Sequence, residues 1–62
     1  MALKYVKPGS SVVVEPSDAC VVVVTREGSH APHVDRCPAG DPASLAEGIG
    51  RYLTAEGYEL AG

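Results

Sequence analysis

Four side chains in this sequence have metal-ligating chemistry: Cys20, His30, His33 and Cys37. Two thiolates with two imidazoles suit a tetrahedral zinc centre. Their spacing, C-x9-H-x2-H-x3-C, lacks the C-x2-C knuckle that marks zinc modules. In an extended hairpin, rising ~3.3 Å per residue, His30 lies too far from Cys20 to share one ion. The cysteines alone form a candidate thiol pair, Cys20 with Cys37, either bridged or packed as small apolar fillers. A second group, Ser29, His30, His33 and Asp35, carries the residue types of a hydrolytic triad. It has no nucleophile elbow and no walls to exclude water, so catalysis is not expected.

The charged residues are dispersed. Eight acidic positions are scattered along the chain and read as a solvated surface, with Asp41 set apart as a helix cap. The five basic ones, Lys4, Lys7, Arg26, Arg36 and Arg51, form no stripe, and net charge is −3. Phosphate binding needs clustered Lys and Arg, so nucleic acid is not the expected partner. No Gly-rich phosphate loop and no cofactor-binding pattern appears. The longest apolar run, Ala19 to Val24, spans six residues. A membrane helix needs about 20. The start lacks the apolar core of a signal peptide. The chain is therefore expected in the cytoplasm where it is made, with no membrane or small-molecule partner.

The elements that must position these residues come from a chain of only 62 residues. A core of that size supplies no more than ~3–5 kcal/mol. Residues 1–10 read as an extended N-terminal arm closed by the Pro8-Gly9-Ser10 turn, and residues 11–62 as one domain. Val12-Val13-Val14 reads as a strand and Val21 to Val24 as the strongest strand, because β-branched runs favour sheet. Gly28-Ser29 offers a two-residue hairpin loop. His33 to Cys37 reads as a third strand. The helix spacing predicts Pro42 to Glu56: Asp41 is a good N-cap, Pro42 suits the first turn, and Gly57 suits a left-handed C-terminal cap. Leu45, Ile49, Tyr52 and Leu53 form its apolar stripe. Gly48 and Gly50 interrupt it: they read either as coding drift on a solvent face or, for Gly48 beside Ile49, as a close approach to the sheet. Tyr58-Glu59-Leu60 reads as a short last strand or a tail folded on the core. The fold expected is α+β: a three-stranded antiparallel meander with one C-terminal helix on one face.

Register decides the faces. A Gly28-Ser29 loop sets Cys20 opposite Cys37, Val22 opposite Asp35 and Val24 opposite His33. A loop within Pro16 to Ala19 sets Val14 opposite Val21. The helix then covers Val12, Val14, Val21, Val23 and Val34. The opposite face holds Val13, Val22, Val24, His33 and Asp35, the expected interface.

These readings favour a small non-enzymatic structural or interaction protein. It would dock through a sheet face, a sheet edge or the arm onto a protein partner or copies of itself. The composition is rich in Val and Ala and lacks Phe, Trp, Asn and Gln. That bias suggests a GC-rich genome and, most concretely, a phage capsid or tail accessory protein in the virion. The alternatives are a zinc-binding or thiol-redox module built on Cys20, Cys37, His30 and His33, or an adaptor or inhibitor of a host protein.

Overall fold

The computed structural model describes residues 2–61. In chain order the elements are β1 (Leu3–Lys7), β2 (Ser10–Ser17), β3 (Cys20–Glu27), β4 (His33–Pro38), α1 (Pro42–Ala55) and β5 (Glu59–Leu60). The fold is α+β. Its single antiparallel sheet has five strands, not three, in the order β4-β3-β2-β1-β5. Within the segment expected as an extended N-terminal arm lies β1, paired to β2 on one side and to β5 on the other. Pro8-Gly9 makes the two-residue turn between β1 and β2, with Gly9 at φ 80°. That is the type II turn, with Pro first and Gly in the left-handed second position. In β1, Leu3 and Tyr5 point to the helix side, and Lys4 and Val6 to the other.

The helix ends are built as the sequence predicts. Asp41 Oδ1 accepts a hydrogen bond from the Ser44 N–H at 3.2 Å. At the other end Gly57 sits at φ 97°. The Gly57 N–H donates to the Thr54 carbonyl at 3.1 Å and the Tyr58 N–H to the Leu53 carbonyl at 3.0 Å. These two bonds form a Schellman cap. They turn the chain back so that β5 can join β1. Tyr58 is tied down by a 2.7 Å hydrogen bond between its hydroxyl and Ser10 Oγ. Lys7 Nζ lies 4.6 Å over its ring.

The core is Tyr5, Val12, Val14, Val21 and Leu53, with Leu3, Val23, Leu45, Ala46, Ile49 and Tyr58 packed around it. The helix packs mainly on β2, with further contacts to β3 and β5. Its stripe is rotated from expectation: Tyr52 is 64% exposed. At 3.6 residues per turn, Ala46, Gly50 and Leu53 centre the contact arc and Tyr52 falls at its rim. The close approach occurs at Gly50, not Gly48. A Cβ on Gly50 would overlap the Tyr5 hydroxyl and lie 3.1 Å from its Cζ, whereas one on Gly48 meets nothing within 4 Å.

Two registers differ from expectation, with opposite consequences. Between β2 and β3 the loop is Asp18-Ala19, so Val14 pairs with Val23 and not Val21. That is a shift of two residues and leaves every side chain on its expected face. Between β3 and β4 the shift is one residue: Val24 pairs with Val34, Val22 with Arg36, and Thr25 with His33. The odd shift inverts every face of β4. Its cause is the loop. Pro32 has no N–H for the ladder, so the strand starts at His33 and the connection runs through Gly28–Pro32, braced by the His30 N–H on the Glu27 carbonyl at 3.0 Å.

Candidate interaction surface

With the helix on one side, the other face of the sheet has no element above it among the described residues. Pairing fixes its pattern. Val13, Val24 and Val34 stand in one row across β2, β3 and β4. The next row is Glu15, Val22, Arg36. Val6 continues the apolar surface on β1, opposite Ser11. Val6, Val13, Val22 and Val24 are half-buried by their strand neighbours alone. Val34, on the edge strand, is 50% exposed. Lys4, Glu15, Arg26, Arg36 and Glu59 ring this surface and are all exposed. The face is thus an apolar row with a charged rim.

The five expected interface residues divide. Val13, Val22 and Val24 are on this open face. His33 and Asp35 are on the helix side of β4, because of the one-residue shift, and Val34 and Arg36 take their places. His33 and Asp35 are exposed on the edge strand, with Nε2 3.2 Å from the carboxylate, and Asp35 lines an open groove with Ile49, Tyr52 and Leu53 of the helix. Being two apart on one strand, they share a face and pair locally.

The same shift separates the thiols. Cys20 pairs with Pro38, and Val21 with Cys37, so the two sulfurs project from opposite faces. Both are free and half-buried. The expected facing pair is therefore not formed. Among the described residues no three His, Cys, Asp or Glu side chains come together to hold a metal ion. Ser29, His30, His33 and Asp35 are all exposed to solvent. Among those residues, too, no helix is long and apolar enough to cross a membrane.

Open grooves flank the helix because one helix cannot span five strands. The larger, about 770 Å³, lies between α1 and the β1–β5 side, floored by Leu3, Tyr5, Val14 and Leu60 and walled by Ala46 and Gly50. It exists because the helix residues there are too small to fill it.

Sequence reasoning missed Val6 and Val34. The inward–outward alternation of Leu3-Lys4-Tyr5-Val6, read with the Pro8-Gly9 turn, carries the signal for Val6. Val34 needed the register. No family model matches the sequence, and no curated protein or solved structure matches it either.

Proposed function

We propose that this chain is a non-enzymatic docking protein that engages a protein surface through the open face of its sheet. The observation that carries this reading is the row of adjacent valines, Val13, Val24 and Val34, with Val22 beside it, left without a covering element among the described residues. Burying the remaining surface of four such side chains is worth on the order of 3 kcal/mol before the costs of association. The charged rim would set orientation and the valines contact area. The open, solvated setting of His33, Asp35, Ser29 and His30 favours docking over catalysis, because no group there is held in a water-excluded pocket.

The test is amide chemical-shift mapping with the apolar probe anilinonaphthalene sulfonate at micromolar protein. Shifts clustered on Val13, Val22, Val24 and Val34, and lost in Val22→Glu, are expected. Shifts clustered instead on Tyr5, Gly50 and Leu60 would move the binding surface to the groove beside the helix and overturn the reading.

A further inference from the structure

We infer that the occupant of the open face is a second copy of this chain, packed face to face about a two-fold axis running along β3. This rests on the docking reading and names its partner. The argument is the distribution of charge. Glu15, Val22 and Arg36 are consecutive across β2, β3 and β4. The carboxylate and the guanidinium thus stand two strand spacings apart, about 10 Å, with a valine between them. The two are not paired with each other: the ion pairs among the described residues are His33–Asp35 and Glu47–Arg51.

A two-fold along β3 exchanges the β2 and β4 sides and keeps each row in place. Arg36 of one copy then lies over Glu15 of the other, and the reverse holds by symmetry. The same operation sets Val34 over Val13, and sets Val22 and Val24 over their own counterparts. Every contact off the axis occurs twice, as a self-complementary interface requires. Stacked sheets lie ~10 Å apart with strands crossing at about −30°. At one strand from the axis that angle moves Arg36 by only ~2.5 Å, within the reach of its long side chain. A two-fold running across the strands does worse. Centred between the two rows, it sets Arg36 against Val34 and Glu15 against Val13.

Size is consistent with a weak, reversible dimer. The two long dimensions of the molecule are 32 and 23 Å. An axis along β3 overlaps only β2, β3 and β4 of the five strands, a strip about 14 Å wide and about 25 Å long. The shared face is therefore roughly 350 Å² per copy, well under the ~800 Å² per partner of a standard-size interface and in the range of weak encounters. One juxtaposition is unfavourable: Arg26, on the axis at the end of β3, meets its own counterpart at the rim.

Sedimentation equilibrium on the full chain tests this with a charge swap. The wild type should dimerise reversibly. Glu15→Arg and Arg36→Glu should each weaken association by roughly 10- to 30-fold, since each places like charges opposite one another twice. The double variant E15R/R36E should return to within a few-fold of wild type. The single changes move net charge in opposite directions from −3, to −1 and to −5 respectively. A bulk-charge effect would therefore strengthen one and weaken the other. Arg26→Ala should tighten the dimer several-fold. Cooperative urea melts of each variant confirm folding. A wild type that stays monomeric to ~1 mM, reversals of opposite sign, or a double variant no better than the singles would each overturn the second copy as partner. If the chain is monomeric and the probe shifts still map to the open face, the docking reading stands with another partner. If those shifts are also absent, both fall.

Discussion

Val21 and Val22 are neighbours in β3 with identical side chains, yet Val21 is 0% exposed beneath α1 and Val22 lies half-buried on the open face. The whole strand repeats the contrast: Val21 and Val23 face the helix, Val22 and Val24 face outward. Residue type cannot separate the two faces, since β3 is valine on both. What separates them is coverage. A helix is ~10–12 Å across and strands are ~4.8 Å apart, so one helix covers two or three strands on one side only. A core face and an open face can thus be made of the same side chain, and a mutation should reveal which is which.

The largest contrast is expected between Leu53→Ala and Val24→Ala. Leu53 is 7% exposed and joins the helix to Val12, Val14 and Val21 in the core. Its truncation should cost about 2–5 kcal/mol, comparable to the whole stability of a domain this size. Urea melts should show that variant largely unfolded at 37 °C, while Val24→Ala loses under ~1 kcal/mol. A loss below ~1 kcal/mol for Leu53→Ala would mean the helix holds the sheet by other residues.

The helix carries its own pair. Gly50→Ala forces a methyl into the Tyr5 hydroxyl and should cost about 1–3 kcal/mol. Gly48→Ala enters open space and should gain up to ~1 kcal/mol from helix propensity. The two melts should move in opposite directions. Equal shifts would place both glycines on the same kind of surface.

Smaller effects belong to the loops and rim. Ala19 holds φ 58° in the β2–β3 turn, a conformation that suits glycine. Ala19→Gly should stabilise by a few tenths of a kcal/mol up to ~1, as relief of the left-handed strain outweighs the added chain entropy. His33→Ala should shift the melt least, by less than ~0.5 kcal/mol, because its partner Asp35 and the ring are both largely exposed. A larger loss there would assign the pair a structural role.

The helix was legible almost to the residue, because caps are local: Asp41, Pro42 and Gly57 mark its ends without reference to the rest of the chain. The faces of β2 and β3 were legible too, since the error in their loop was even and period-two alternation absorbs an even error. The faces of β4 were not. The proline at 32 displaced the strand start, the pairing slipped by one, and His33, Asp35 and both cysteines changed meaning together. Strand β1 reads from sequence as an arm because five residues with two lysines look weakly apolar. Its place in the sheet depends on β5, which pairs with it from 55 residues further along the chain, at Tyr5 and Leu60. A non-local pairing of two residues leaves almost no local trace. Of the surface now favoured for docking, Val13, Val22 and Val24 could be read from alternation alone, and Arg36 and Val34 only from the register.

The most direct measurement sets Val21→Glu beside Val22→Glu, adjacent substitutions of equal chemistry on opposite faces. Urea melts and sedimentation are read on both. Val21→Glu buries a carboxylate under the helix and should abolish the cooperative transition. Val22→Glu should keep that transition within ~1 kcal/mol of wild type, as an exposed-face change does, and lose association. A Val22→Glu chain that fails to fold, or one that folds and associates as the wild type does, would contradict the assignment of the open face as the contact surface.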